Sequence, residues 1–402
     1  QNGFRPKRNS LMHAWALSEI LNMRGQNALV IFFDLTKAFP SVRQSSLLHA
    51  LYHRDVTGNI WRLTSGFYQN NTSKIRIGHY VSATEYPVDN GVKEGSLLSP
   101  LLFTIFIGEL LRRIRDAGAG CSLPCVNGTP LWCGMLGYAD DLAAIPRNSH
   151  DAQVILDIAG EFAHEHMCTF SDGKTAGMIM RPTPCLPSYP GRLWLTLRCK
   201  RTAQGANSLP LRFTRIYEYL GIIFSDSGDS ILHITEKLLP SLRRRLYRAS
   251  ATVLRHDMLS PCMSMFLLDA DVLSYARYSA PLWGVSIWCA NISPSCQARF
   301  DKLRAMFKSV LRNVLSIPST ALHSNRAIYR ELGWLGLDGI TAAGQISLLR
   351  DALRMPPHRL PHQVMLLLLQ QGSQDMDCQL QQPDPPPSVL PRLPTSHLEQ
   401  PD

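Results

Sequence analysis

The period of the apolar positions changes along the chain. Apolar residues recur at helical spacing from Leu11 to Met23, with Ser10 placed to cap the run and Gly25 to end it. Ala28 to Phe33 is an unbroken apolar stretch rich in β-formers, which predicts a strand buried on both faces and closed by Asp34. Ser45–Tyr52 and Ile60–Tyr68 return to helical spacing, and Lys74 to Val81 alternates about Gly78 as a hairpin does. A helix is predicted from Pro100 to about Arg115, because proline suits a first turn. Leu131–Leu136 and Leu142–Ile145 flank Gly137–Asp141, which reads as strand, turn, strand. His150–Glu165 is amphipathic, with Asp151 near its start where the helix dipole favours a carboxylate. Pro182, Pro184, Pro187 and Pro190 mark an irregular loop, and Leu193–Cys199 and Tyr217–Phe224 read as strands. Beyond them the chain turns helical. Phe300, Leu303, Phe307, Val310, Leu311 and Val314 fall on one helix face. From about Pro383 the chain is proline-rich and poor in core formers, the composition of a disordered tail. Strands mixed with helices, followed by a helical half, predict an α+β unit with a helical unit after it.

Charge narrows the class of partner. The 402 residues carry 41 basic and 31 acidic side chains, a formal net charge of +10, which favours an anionic partner such as nucleic acid. The excess is gathered in three stretches: Arg192, Arg198, Lys200, Arg201, Arg212 and Arg215; then Arg243, Arg244, Arg245 and Arg248; then Arg299, Lys302, Arg304, Lys308 and Arg312. The last fits equally a solvated helix face or a surface that tracks a phosphate backbone. Ten cysteines are scattered with no CxxC pair or zinc-finger spacing. Cys121, Cys125 and Cys133 come closest to a cluster and read as small apolar residues of a reducing compartment. Leu97–Leu111, the most hydrophobic stretch, contains Pro100 and Glu109 and is too short to span a bilayer. With a polar, basic start at Gln1–Arg8, the chain is expected to be soluble, intracellular and without a membrane partner. It opens on Gln1 within a motif, as a fragment of a longer protein would.

The candidate chemistry rests on carboxylates. Tyr138-Ala139-Asp140-Asp141 sets two acidic side chains side by side at a tight turn, where they repel unless a cation intervenes. Magnesium takes a few carboxylate oxygens together with substrate phosphates. Asp34 ends the buried strand about a hundred residues earlier. Taken singly, each Asp is more often a solvated turn residue or helix cap. As a set they could hold two metals, which roughly 3.5–4 Å apart would clamp the attacking and leaving oxygens of a phosphoryl transfer.

At this point the chain resembles the reverse transcriptases of non-LTR (LINE-type) retrotransposons. Phe32–Val42 resembles their first catalytic motif, Gly91–Phe103 (GVKEGSLLSPLLF) their nucleotide-and-template motif, and Tyr138–Asp141 their YADD box. Gly173-Lys174-Thr175 is similar to the lysine motif, Tyr217–Gly221 to the primer grip, and Gly3–Arg8 to the GFRPGRS segment. Ala280–Gly284 and Tyr329–Gly333 resemble the thumb region, and the motifs keep family order over roughly residues 1–340. The resemblance implies a right-hand polymerase with partial fingers, a palm bearing an antiparallel sheet, and a helical thumb. It implies two Mg2+ ions, replaceable by Mn2+, on Asp34, Asp140 and Asp141, with Lys174 reaching the triphosphate. Leu35 would offer only its backbone carbonyl. Phe39 would exclude a ribose 2′-hydroxyl. Glu94, Gly95 and Arg5 would lie near the nucleotide or template, and Tyr219, Leu220 and Gly221 would shape the primer grip. The implied partners are an RNA template, a DNA primer or target DNA, and deoxynucleotides, with the nucleus and cytoplasm as the implied compartments. The oligomeric state is left open.

Several positions depart from the pattern. Glu94 replaces a usual Gln, Pro40 a usual Asp or Asn, Lys7 a usual Gly, and Ser171-Asp172 the Asn-containing lead-in to the lysine motif. A carboxylate at Glu94 would repel a triphosphate and cannot donate a hydrogen bond while ionised. The expected division is fingers and palm over 1–180, a variable insertion over 181–212, the primer grip over 213–228, a thumb over 229–345, and a tail over 346–402 that is largely disordered from about 371. A group II intron maturase-type reverse transcriptase and an inactive RNA-binding relic of a transposon stay open as alternatives.

Overall fold

The computed structural model describes residues 3–5, 8–93, 95–124, 128–183, 196–202, 205–228, 230–255, 260–288, 294–318, 324–334 and 336–380. Helix α1 (Ser10–Arg24) starts one residue earlier than its apolar run suggests. Asn9, not Ser10, is the cap, and its side chain accepts from the Met12 backbone N–H at 2.6 Å. Gly25 ends it with φ +73°. Residues Met12 to Leu17, Ile20 and Leu21 are all buried, so α1 runs inside the molecule rather than along its surface.

Strand β1 (Ala28–Phe33) is buried at every position, as its unbroken apolar run predicts. It pairs antiparallel on one side with β3 (Asp141–Ala144), which pairs in turn with β2 (Met135–Tyr138). On its other side β1 pairs along almost its whole length with β4 (Ala176–Met180), beyond which β5 (Arg212–Phe213) adds in parallel. The expected antiparallel palm sheet is therefore the five-stranded order β5-β4-β1-β3-β2, with its last pair parallel. Residues 176–180 read AGMIM, too short and too mixed to be recognised as a strand by pattern alone. Tyr217–Phe224, expected as one strand, is a hairpin of Ile216–Tyr219 (β6) and Ile222–Ser225 (β7) folded at Leu220-Gly221.

One face of the sheet packs on helices Gln44–Tyr52 (α2), Ser99–Asp116 (α3) and Ser149–Glu165 (α4). Ile31, Phe33, Leu47, Phe103, Phe106, Ile107, Ile155 and Phe162 form that core. The other face packs on α1 and the β6–β7 hairpin through Phe32, Val30, Leu17, Tyr219 and Phe224. Asp151 near the start of α4 is buried. It accepts from the Gly120 backbone N–H at 2.9 Å and pairs with Arg147 at 2.7 Å, and so ties the helix to the preceding loop.

The C-terminal half is helical and has its own core. A π-turn over His233–Leu238 leads into Leu239–Arg255 (α5), followed by Pro261–Leu268 (α6), Ser274–Trp288 (α7) and Pro294–Val314 (α8). Phe300, Leu303, Phe307, Val310, Leu311 and Val314, the face read from the sequence, are all buried there with Leu242, Leu246, Val272 and Trp334. Arg312 departs from the expected basic surface. It is 8% exposed, and its guanidinium donates to the Pro318 carbonyl. The segment from residue 346 is not a tail over its whole length. Gly336–Leu353 (α9) runs through its start and Leu360–Leu380 (α10) follows, with Ala352, Val364 and Met365 buried beside α1. Residues 381–402, where the disordered tail is expected, lie outside the described residues, as do residues 184–195.

Candidate active site

The site is built where three chain segments leave the sheet. β2 and β3 meet with Tyr138 opposite Asp141, so Ala139-Asp140 is a two-residue hairpin loop. Ala139 carries φ +56°. A positive φ at the first loop residue alone follows the II′ pattern, whose twist matches the strands. Alanine pays about 1 kcal/mol for it, since its Cβ crowds the following carbonyl. The turn is braced from outside: a Cβ placed on Gly3 would lie 2.3 Å from the Ala139 nitrogen. Only glycine permits that approach, which seats the Gly3–Arg5 segment against the acidic turn.

β1 delivers Asp34 to the same end of the sheet. The chain after it is zipped to residues 169–175. Ser171 N donates to the Asp34 carbonyl at 2.8 Å, Thr36 N to the Thr169 carbonyl at 2.9 Å, and Leu35 bridges Phe170. Asp34 N donates to Thr175 Oγ1 at 3.4 Å, and Lys174 Nζ reaches Asp34 Oδ1 at 3.4 Å. This pairing brings Lys174 to the carboxylates. Leu35 itself is buried, 5% exposed, so any contact it offers comes from its backbone.

Asp141 feels the other two carboxylates. Asp141 is pushed up to about 6, first by burial and then by the negative charges of Asp140 and Asp34, while Lys174 pulls the other way. Among the described residues no three His, Cys, Asp or Glu side chains form a ready metal cage. The donor chemistry still suits magnesium, which takes one or two carboxylates and completes its shell with water and substrate phosphate.

Phe39 stands beside this acidic end, stacked on Phe103 at 4.8 Å between centroids and edge-on to Phe4 at 6.0 Å. Val92 N donates to the Phe39 carbonyl at 3.1 Å, and Gly91, at φ +92°, lies close over Pro40. The second motif is thus laid on the first by backbone contact. Gly95 has φ +80° with open space around it, so glycine is needed there for its backbone angle rather than for crowding by the protein. Arg5 is exposed on the segment that braces the turn. Glu94 lies outside the described residues.

The β6–β7 turn is held from three sides. Leu220 and Gly221 have φ +51° and +77°, the I′ pair of positive angles, with leucine where Asn or Gly is usual. Tyr278 of α7 donates its hydroxyl to the Leu220 carbonyl at 2.9 Å, and Lys237 Nζ donates to the Gly221 carbonyl at 2.6 Å. His233 accepts from Ile223 N on Nδ1 at 3.2 Å, which leaves Nε2–H to donate to Ser279 Oγ at 3.1 Å. Tyr219 is 1% exposed, so its phenol is internal and the turn presents only Leu220 and Gly221 outward. That phenol donates to the Asp141 carbonyl at 3.3 Å and lies 3.0 Å from His13 Nε2. With the phenol proton used, His13 must donate. Burial drives His13 down to about 3, which keeps it neutral for that role.

The family model for reverse transcriptase (RNA-dependent DNA polymerase) matches residues 1–224, more than half of the chain. This chain belongs to the reverse transcriptase family. A type-1 R2 retrotransposable-element Pol polyprotein of Popillia japonica is 26% identical over 286 residues, covering 69% of this chain and 42% of that protein. The RNA-directed DNA polymerase from the mobile element jockey of Drosophila funebris is 25% identical over 293 residues, covering 71% of this chain and 28% of that protein. The chain therefore spans less than half the length of either relative. A structure of Candida albicans telomerase with a fragment of telomeric RNA aligns over 85% of this chain and 49% of its own, at 10% identity and a TM-score of 0.35.

Within this member of the family, three residues that position the site were not legible as motif letters. They are His13, Lys237 and Tyr278, each holding a turn or phenol by a hydrogen bond to a residue outside its own segment. Of the basic stretches, Arg245 is engaged with Asp271 and Arg304 with Asp301, while Arg243, Arg244, Arg299 and Lys302 are exposed. Cys121 and Cys133 are buried free thiols with sulfurs 3.4 Å apart, and Cys125 lies outside the described residues. Among the described residues, no helix is long and apolar enough to cross a membrane.

Proposed function

We propose that this chain catalyses template-directed DNA synthesis, preferentially on RNA, as the polymerase of a non-LTR retrotransposon. The observation that carries this reading is the convergence of Asp34, at the end of β1, with the Asp140–Asp141 turn. The pairing of Phe33 with Leu142 sets Asp34 and Asp141 at the same end of the sheet, and the charges of Asp34 and Asp140 help raise the pKa of Asp141. Asp34, Asp140 and Asp141 would hold two Mg2+ ions, which Mn2+ can replace. When bound, the ions would neutralise phosphate charge and stabilise the attacking and leaving oxygens. In the reaction the primer 3′-oxygen forms a bond to the α-phosphorus of a deoxynucleoside triphosphate, and the bond to the β-phosphate oxygen breaks to release pyrophosphate.

The protein's own contribution is positioning and charge, the main protein terms in phosphoryl transfer. Lys174, beside Asp34, supplies positive charge toward the departing pyrophosphate. Phe39, fixed between Phe4 and Phe103, fills the place of a ribose 2′-hydroxyl and so selects deoxynucleotides. Leu35 would contribute its carbonyl, and Arg5 and Gly95 would lie along the template and nucleotide. Leu220 and Gly221 would set the primer terminus, anchored by Lys237 and Tyr278. The partners proposed are an RNA template, a DNA primer or target DNA, and deoxynucleotides, met in the nucleus and cytoplasm.

The test is extension of oligo(dT) on poly(rA) with dTTP and magnesium. Wild type is compared with Asp140→Asn and Glu94→Gln. Extension that vanishes in Asp140→Asn is the expected result, with a gain in Glu94→Gln if that carboxylate repels the triphosphate. No extension by folded wild-type and Glu94→Gln protein would overturn the reading in favour of an RNA-binding relic.

A further inference from the structure

Outside the acidic end of the sheet, one cavity stands out for its charge. It has a volume of about 290 Å³ and opens beside edge strand β2, where residues 135–137 form one wall and Leu360–Pro361 at the start of α10 another. Arg8, Arg54, Arg112 and Arg115 all line it, with Trp132, and no carboxylate is among its described lining residues. Guanidinium groups gathered around one opening attract an anion to it.

Two of them, Arg54 and Arg115, are exposed and weakly compensated. Arg54 donates to the Gly108 carbonyl at 3.2 Å, a neutral acceptor. Arg112 sits in a balanced cluster, paired with Glu109 at 2.6 Å while Arg113, which shares Glu109, also pairs with Glu165 at 2.7 Å. Arg115 meets Asp116 at 3.5 Å with both side chains more than half exposed, a pairing worth little in water. Trp132 is fixed by donation of its Nε1–H to the Ala119 carbonyl at 2.8 Å, so its ring lines the opening in a set orientation. Guanidinium groups around a fixed aromatic ring are the means by which proteins hold single-stranded nucleic acid. Arginine takes the phosphates and the ring a base face.

We infer that this arginine-lined cavity is a second nucleic-acid contact, which holds a stretch of single-stranded RNA at the sheet edge away from the reacting ends. The inference rests on the proposed polymerase reading, because it supplies that reading with a grip on the copied strand outside the acidic site. α10 completes the opening, so the C-terminal helix has a role in RNA binding and not only in packing.

The test measures binding of a labelled single-stranded RNA by the full chain across a salt series, with neither metal nor nucleotide present. Wild type is compared with Arg54→Gln/Arg115→Gln and with Arg54→Lys/Arg115→Lys, after thermal unfolding has shown the three to be equally folded. Each phosphate contact on a single strand contributes about 0.7 to the slope of log affinity against log salt. The glutamine pair should lower that slope by about 1.4, and the lysine pair, which keeps the charge, should leave it near wild type. An unchanged slope in the glutamine pair overturns the inference. So does binding of poly(L-glutamate), but not RNA, that depends on the pair, for the site would then take an acidic peptide. Extension of a primer on a minimal template is run in parallel. Wild-type extension with an unchanged RNA slope removes this site and leaves the polymerase reading standing. A changed slope without extension by any protein does the reverse.

Discussion

Tyr219→Phe tests the link between the two hairpins. The substitution removes one oxygen and keeps the ring, which is 1% exposed and lies 5.4 Å from Phe32 and 6.2 Å from Phe224. Packing is therefore nearly conserved, and the loss falls on two hydrogen bonds, to the Asp141 carbonyl at 3.3 Å and from His13 at 3.0 Å. His13 is then left with its Nε2 donor buried and without that acceptor. Leaving a buried polar group unsatisfied costs about 1–3 kcal/mol, and the lengthened 3.3 Å bond adds little, so a loss of about 2 kcal/mol is expected. The assay is urea unfolding of wild type, Tyr219→Phe, His13→Phe and the double variant. Because the two side chains share one bond, the double variant should lose less than the two singles together, by about 1 kcal/mol. Primer extension should slow as well, since the phenol ties the β6–β7 turn to the backbone of Asp141. Additive losses, or a loss in Tyr219→Phe under about 0.5 kcal/mol, would refute the link, that being the ordinary scatter of a neutral substitution.

Other outcomes follow from the same geometry. His13→Phe should also flatten the acid dependence of stability. The unfolded histidine takes up a proton below about 6.5 and the folded one only near 3, so the unfolded state binds more protons between those values. Wild type should lose up to about 1.4 kcal/mol per unit as pH falls from 6.5, measured as the shift of the urea midpoint between neutral pH and pH 5, and the variant should lose less. Phe39→Val should let ribonucleotides in, read as the ratio of rNTP to dNTP extension, and should cost stability by breaking the 4.8 Å stack on Phe103; an unchanged ratio counts against the gate. Gly3→Ala should misplace the acidic turn, because its Cβ would meet Ala139 at 2.3 Å, and slow extension should appear without loss of RNA affinity. Lys237→Met should weaken primer use more than template binding, since it removes the donor to the Gly221 carbonyl at 2.6 Å; equal losses in both would point to a general thumb defect.

Sequence alone was enough for elements whose information is local. The buried strand Ala28–Phe33, the helix opened by Pro100, the YADD turn and the apolar face of Phe300–Val314 were all legible, because a run of side chains of one period has to meet a core. Asp34, Asp140 and Asp141 could be named as a set, since repulsion among carboxylates is itself a signal of a missing cation. What the pattern could not carry was partnership. Residues 176–180 are a central strand only because β1 offers them a full edge to pair with. Leu220 takes a positive φ in place of extending a strand because Tyr278 and Lys237 hold the turn, and residues from 346 pack as helices because α1 leaves an apolar face for them. Lys174 meets Asp34, Tyr219 meets Asp141, and arginines from three distant segments surround one cavity. Each is a contact between segments tens to hundreds of residues apart. Hydrophobic periodicity records which face of a segment is buried but not what it is buried against, and that choice belongs to the tertiary structure.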